Sequence, residues 1–358
     1  MDSFLEKLGI ELPIIQAPMA GVSTAEMAAA VSNAGGLGSI GVGSADAATT
    51  QQMIDAVRVR TDRPFNVNVF CHQPAVANPA REAAWLARLE PEFARYGATP
   101  PRQLTEIYQT FLTDDAKLAV LIAARPAVVS FHFGLPSRDR IEALRAAGIT
   151  LVATATNLSE GEAVEAAGVD AVVAQGYEAG GHRGIFDPNE PDDRLGMVAL
   201  TRLLAQKLDI PVIAAGGIMD GAGIAASLML GAVAAQLGTA FVACPESLAD
   251  AGYRAALLGP AAEHTEMTTA ISGRPARCLS NRFTTLGHQV ESDTIPSYPI
   301  AYDAGKALHA AAKKAGEFGF GPQWAGQGAP LARALPVAEL MTRLRSEMEN
   351  ALIGQSTA

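Results

Sequence analysis

The feature that most constrains this chain is a recurring junction. A short apolar run stops and gives way at once to polar, glycine-rich backbone. Asp170-Ala-Val-Val-Ala174 runs into Gln175-Gly176-Tyr177-Glu178-Ala179-Gly180-Gly181-His182-Arg183-Gly184. About 35 residues later Pro211-Val-Ile-Ala-Ala215 runs into Gly216-Gly217-Ile218, and about twenty further on Ala234-Ala235-Gln236-Leu237 runs into Gly238-Thr239. Runs this short and this apolar are strands covered on both faces. Strand ends with open amides and no bulky side chains form a socket for a phosphate. In a parallel α/β barrel, that socket holds a phosphorylated cofactor.

Eight such runs can be picked out: Pro13–Gln16, Gly36–Ile40, Asn66–Phe70, Ala127–Phe131, Thr150–Ala153, Ala171–Ala174, Val212–Ala215 and Ala234–Leu237. Helical signals fall between them. Ser23-Thr-Ala-Glu26 and Ser159-Glu-Gly-Glu162 fit capping boxes. The pairs Ala34-Gly35, Ala147-Gly148 and Ala167-Gly168 fit helix ends. Eight βα units predict an α/β fold, a (β/α)8 TIM barrel, rather than an open sheet.

Two stretches break the rhythm. From Cys71 to about Val120 five prolines interrupt the chain, with helical pieces expected at Glu82–Leu89 and Leu104–Leu112. From Pro245 to about Ala312 no barrel-like repeat continues, and a helical cap over the strand ends is expected there. The tail Pro330–Leu352 has an amphipathic pattern that should pack back on the barrel. The expected division is a barrel at 1–244, a helical cap with substrate contacts at 245–312, and a C-terminal segment at 313–358.

At 358 residues and 49% apolar, the chain can fill one large core and an elaboration. A formal charge of −10 argues against non-specific nucleic-acid binding and says little about small anionic substrates, because local charge outweighs net charge inside a pocket. Cys71, Cys244 and Cys278 are odd in number and lack metal-ligand spacing. They are expected to be reduced thiols of a cytoplasmic protein with no metal site. The N-terminal residues carry charges of both signs and no secretory apolar core. No apolar run approaches the roughly 18 residues of a membrane span.

Chemistry-bearing residues cluster at the strand ends. After the first run, Gln16-Ala17-Pro18-Met19-Ala20-Gly21 lets a planar ring approach the backbone, or simply makes a tight turn. Asn66 and Asn68 alternate with Val67 and Val69, so both face one side. There an amide can bond a carbonyl–NH ring edge, or its own neighbours' backbone. His132, in Ser130-Phe131-His132-Phe133-Gly134, ends the fourth run, where barrel enzymes place catalytic groups. His182 in the glycine-rich loop is a second candidate; His72, His264, His288 and His309 have weaker context. Gly216-Gly217 and Gln236-Leu237-Gly238-Thr239 each lead into a helix and offer amides to a phosphate. Tyr298, Tyr302 and Lys306 are four apart, one face of a helix. With Tyr108 and Tyr253 they make either a lid for a small anion or ordinary packing. Trp324-Ala-Gly-Gln-Gly328 either closes over the cofactor or turns the chain.

Four ordered motifs carry a resemblance: Gln16–Gly21, Ser130–Gly134, Gln175–Gly184 and Ala214-Ala-Gly-Gly-Ile218. Over almost its whole length the chain resembles the class I nitronate monooxygenases, formerly called 2-nitropropane dioxygenases. The resemblance implies non-covalently bound FMN. Asn68 and Gln175 would meet its ring or ribityl chain. Gly180, Gly181, Gly217, Gln236, Gly238 and Thr239 would bind the chain and phosphate, with Ala17, Pro18, Met19, Gly216 and Leu237 completing the cofactor lining. His132 would be the catalytic histidine. Tyr108, His182, Tyr253, Tyr298, Tyr302 and Lys306 would line the substrate pocket beside it. The implied reaction is oxidative denitrification of alkyl nitronates, such as propionate 3-nitronate, with O2 through a flavin semiquinone, in a monomer or homodimer.

Other flavin barrels compete with this reading: an FMN-dependent NADH:quinone oxidoreductase or an enoyl-thioester reductase, although no dinucleotide fingerprint is visible. A non-catalytic barrel that binds a phosphorylated metabolite is a rival of another kind. A barrel using a cysteine nucleophile would have to use Cys244.

Overall fold

In the computed structural model, which describes residues 3–353, the eight apolar runs become eight parallel strands. They are β1 (Ile14–Gln16), β2 (Gly38–Gly41), β3 (Phe65–Phe70), β4 (Val128–His132), β5 (Thr150–Ala155), β6 (Ala171–Gln175), β8 (Val212–Ala215) and β9 (Ala234–Leu237). Between them lies the two-residue β7 (Gly181–His182), and beyond them β10 (Thr265–Thr268) and β11 (Ala276–Leu279). Each barrel strand pairs with the next, and β9 returns to β1. Leu37 just ahead of β2 closes the ring, donating its N–H to Ile14 O at 2.9 Å and accepting from Gln16 N at 3.0 Å. The result is a (β/α)8 barrel. Residues 1–2 and 354–358, the ends of the expected first and last segments, lie outside the described residues.

Side-chain alternation divides the barrel into layers. Val67, Val69, Val129 and Phe131 face outward and join Ile54, Leu121, Ile141 and Leu144 of the surrounding helices in one core. The opposite faces of the strands point into the barrel. At its N-terminal end Ile15, Leu37, Val128, Val152 and Ile213 meet Phe4, Leu5 and Leu8 of the first helix, Ser3–Leu8, which plugs the bottom. With the N-terminal end plugged, the barrel interior opens only at its C-terminal end. The helix Val337–Ile353 lays Val337, Leu340, Met341, Leu344 and Met348 into the core over β1 and β9, against the helix Gly221–Met229.

Several local expectations need correction. The first helix after β1 is capped by Thr24, not Ser23, and the helix Leu158–Ala166 by Asn157, not Ser159. Glu160, not Glu162, reaches back to Thr156 N, at 2.6 Å. The helix expected at Glu82–Leu89 runs over Pro79–Arg95, with Pro79 in its first turn and Pro91 inside it. Leu104–Leu112 forms no helix. Its backbone bonds go elsewhere, Phe111 N to Phe70 O (2.8 Å) and Thr105 N to Asp303 Oδ2 (2.9 Å), so the segment is spread over the end of β3 and the cap.

The region after β9 is helical at Ala251–Leu257, Arg282–Gly287 and Ile300–Lys314, and it also carries a hairpin that periodicity does not announce. Strand β11 pairs with β10 on one side and with β7 on the other, Ala276 opposite His182 and Arg277 opposite Gly181. The cap is thereby stitched to the glycine-rich loop. Both insertions share one core, in which Trp85, Leu89 and Phe93 of the early insertion meet Phe283, Ile300 and Leu308 of the late one.

Candidate active site

The open end of the barrel and the cap enclose a cavity of about 420 Å³. One wall is backbone. Gly216 (φ +120°) and Gly217 (φ +70°) follow β8 in conformations that side chains rarely adopt. Gly180 is needed for close approach, since a Cβ there would lie 2.4 Å from Gly326 N. Thr239 begins a helix, so its amide has no partner within that helix. Its Oγ1 accepts from Gly326 N at 3.0 Å, which brings the Trp324–Gly328 loop over this wall. Ala17, Pro18, Met19, Gly181, Gln236 and Gly238 line the same side. Leu237 does not line the cavity; strand alternation turns its side chain outward into the core that holds Met27 and Phe241.

The facing wall is polar and aromatic. Asn68 reaches the cavity and donates from Nδ2 to Ser130 Oγ (2.9 Å) and Ser130 O (3.1 Å). Asn66 is turned the same way but lies one layer lower, donating to Ser39 Oγ at 3.2 Å, and does not reach it. Gln175 donates from Nε2 to His182 O (3.1 Å) and accepts from Gly184 N (2.7 Å), bracing the glycine-rich loop.

His132 touches two groups. Its Nε2 lies 3.2 Å from His182 O and its Nδ1 lies 3.1 Å from Thr154 Oγ1. A carbonyl can only accept, so Nε2 carries the proton and Nδ1 accepts from the Thr154 hydroxyl. Burial pulls the pKa of His132 down to about 4 and that of His182 to about 3, so both rings are neutral at pH 7. Phe133, beside His132, holds a left-handed backbone (φ +73°), a strained conformation for an aromatic residue.

The roof is the cap. Tyr302 and Lys306 share a face of the helix Ile300–Lys314, but Tyr298 precedes that helix. The Lys306 ammonium lies 4.6 Å from the Tyr108 ring centroid and 5.2 Å from that of Tyr302. Burial lowers its pKa. Tyr253 donates its hydroxyl to Trp324 O. Tyr298 Oη is buried at the cavity edge with no hydrogen-bond partner among the described residues. His72 lies behind Tyr298, with ring centroids 5.1 Å apart, while His264 and His288 do not reach the cavity. His309 is at its outer rim. Cys244 is fully buried and its thiol is pushed up to about 12 by burial, unsuited to a nucleophile.

Thr154 lines the cavity although no role for it is read from the sequence; Ser130 and Phe133, named there only inside their motif, line it too, as does Trp324 of the loop expected either to close over the cofactor or to turn the chain. Thr154 was discoverable. It is in register with Thr150 and Val152 on the inward face, and was lost because the strand was ended two residues early.

Comparison with known proteins agrees with this geometry. Residues 2–347 match the family model described as nitronate monooxygenase. A nitronate monooxygenase from Paraburkholderia phytofirmans is 63% identical over 98% of this chain and 96% of its own length. One from Pseudomonas aeruginosa is 56% identical over 97% and 99%. Among solved structures, a nitroalkane oxidase from Streptomyces ansochromogenes superposes with a TM-score of 0.89 at 42% identity, covering 98% and 99% of the two chains. FabK from Thermotoga maritima reaches 0.74 at 29% identity, covering 99% and 98%. The chain belongs to the nitronate monooxygenase family of flavin-dependent oxidoreductases.

Proposed function

We propose that the flavin is FMN and that the enzyme denitrifies small alkyl nitronates bearing a carboxylate, with propionate 3-nitronate as the test substrate. The observation that carries this reading is the division of the cavity into a glycine-backed wall and a neutral, donor-bearing wall under a caged ammonium. The first wall suits FMN. Gly180, Gly216, Gly217 and Gly238 leave room that Cβ atoms would fill, and the first-turn amides at Thr239 suit a phosphate. Residues 1–244 would act as the FMN-binding barrel, 245–312 as the substrate cap, and 313–358 as a brace. Buried free thiols at Cys71, Cys244 and Cys278 fit a cytoplasmic setting.

When bound, the flavin supplies the electron chemistry between substrate and dioxygen. The protein's own work is to hold an anion. A nitronate arrives already ionised, so no base is required. His132 can turn its Nε2–H from His182 O to a nitronate oxygen at little cost, because Gln175 Nε2 continues to satisfy that carbonyl. Thr154 keeps the ring in the donating tautomer throughout. The Tyr298 hydroxyl can donate to the same anion, and Lys306 can meet the carboxylate. His182 and Tyr253 shape the wall around them.

The test is the visible spectrum of purified protein, identification of the flavin after heat release, and anaerobic titration with propionate 3-nitronate and separately with NADH. Flavin reduction by the nitronate, and nitrite formation with oxygen uptake in air, are expected. A colourless protein that FMN cannot reconstitute, or one bleached by NADH and inert to nitronates, sinks the reading.

A further inference from the structure

One buried charged side chain adjoins the cavity without lining it. Arg274 follows the turn that precedes β11 and is 3% exposed. Its guanidinium carbon lies 4.3 Å from the centroid of the Phe133 ring. Nη2 donates to Ile185 O, and Nε has no partner. Among the described residues it forms no ion pair; Glu160 and Asp187 influence it only at a distance. Burial lowers its pKa to about 10, so it stays charged at neutral pH. A buried cation without a counter-ion is costly, and this one adjoins a ring that lines the cavity.

The surrounding groups are arranged around that charge. Phe133 packs on His132 (4.4 Å), Tyr298 (5.5 Å), His182 (5.7 Å) and His72 (6.3 Å). Ser272 Oγ donates to Arg274 O at 3.2 Å and lies 2.9 Å from His182 Nε2, so the arginine's own turn also holds His182. The titratable and charged groups facing this cluster are Arg274, Arg183, Lys117, the three imidazoles, Tyr108, Tyr298, Tyr302, Glu160 and Asp187. The carboxyl of Glu160 is committed to Thr156 and to Phe186 N. Asp187 accepts from Asn189.

We propose that Arg274 is a positioning residue that makes the cavity selective for anions: an unpaired guanidinium one layer outside the lining, acting through Phe133. Its field favours a nitronate over the uncharged nitroalkane of the same shape. It also opposes protonation of His72, His132 and His182, so the nitronate group is met by neutral donors with the Arg274 charge behind them, while the Lys306 ammonium stays with the carboxylate. This deepens the denitrification reading and rests on it.

The test uses flavin-loaded full-length enzyme and compares nitrate with uncharged nitroethane as inert probes, read by perturbation of the flavin absorbance. Arg274→Met is expected to raise the nitrate Kd and the nitronate KM about tenfold, to change kcat much less, and to leave nitroethane binding unchanged. Arg274→Lys should recover most of the anion binding. Equal weakening of nitrate and nitroethane marks a packing role and overturns the proposal, as does unchanged nitrate binding. If Arg274→Met does not load flavin, the lysine variant and the wild type decide. Loss of anion preference in a flavin-loaded Arg274→Lys overturns the proposal, and so does a protonated His132 or His182 at pH 6 in 15N spectra of the wild type. Absence of nitronate turnover by the wild type would instead defeat the denitrification reading, with the binding comparison still readable.

Discussion

Thr154→Val is the sharpest probe of the site, because it changes one hydroxyl and almost no volume. In the native enzyme both nitrogens of His132 are engaged, Nδ1 with Thr154 Oγ1 at 3.1 Å and Nε2 with His182 O at 3.2 Å. Valine leaves the Nδ1 lone pair facing methyl groups. An unsatisfied buried acceptor costs about 1–3 kcal/mol. The ring can recover that cost only by rotating or by moving its proton to Nδ1, and either change removes the Nε2–H donor from the place where the nitronate would meet it. If most of the cost falls on the bound substrate, kcat/KM for propionate 3-nitronate drops by about tenfold to a hundredfold, at roughly 1.4 kcal/mol per tenfold. Flavin content should not change, since Thr154 is on the wall opposite the glycine cradle. Thr154→Ser keeps the hydroxyl and should remain within a few-fold of wild type. Steady-state kinetics, with 15N spectra of the His132 ring, measure both parts. Full kcat/KM in Thr154→Val with an unmoved tautomer would refute the reasoning, as would Thr154→Ser failing as badly as valine.

Further outcomes follow from the same geometry. His72, His132 and His182 are held neutral with pKa values near 4, 4 and 3 against an ordinary 6.5. Below pH 6.5 the unfolded chain binds protons that the folded one does not, so stability is full above that pH and falls as the pH drops toward 4. A flat melting temperature across this window contradicts it. Gly180→Ala forces its new methyl against Gly326 N (2.4 Å) and Ala325 C (2.6 Å), backbone that cannot step aside. The flavin-to-protein ratio should collapse, and full flavin loading would discount the close approach. Lys306→Met should raise KM about tenfold for propionate 3-nitronate but leave ethyl nitronate, which lacks the carboxylate, nearly unchanged; an equal effect on both removes the ammonium from substrate recognition. 3-Nitropropionate with its nitro carbon still protonated should not be consumed, because His132 and His182 are depressed far below the range of a useful base; oxygen uptake with freshly dissolved 3-nitropropionate at pH 6 contradicts that.

What could be read in advance, and what could not, follows from how far apart in sequence the cause of each feature lies. The barrel strands are local facts. A run such as Val212–Ala215 is apolar on both faces because it is covered on both, and the glycines after it have positive φ because the turn requires it. His132, Gln175 and Gly217 were therefore found with the strand ends that carry them. The hairpin β10–β11 is different. Thr265-Glu-Met-Thr268 is half-exposed and carries no strong alternation, and its strand state comes from pairing with β11, which in turn holds β7 about a hundred residues earlier. No window of sequence contains that cause. The same holds for Leu104–Leu112, whose helix-like spacing lost to hydrogen bonds with Phe70 and Asp303. Arg274 is the extreme case. In sequence it is an ordinary arginine in a glycine–proline turn, and only the pairing of Ala276 with His182 brings its turn against the His182–Phe133 side of the cavity. Residues that form a site by ending a strand can be read from the strand. Residues that reach a site through a cap appear only once the cap is seen docked, which is why the glycine-backed wall of the cavity was legible in the strand ends and the charge behind Phe133 was not.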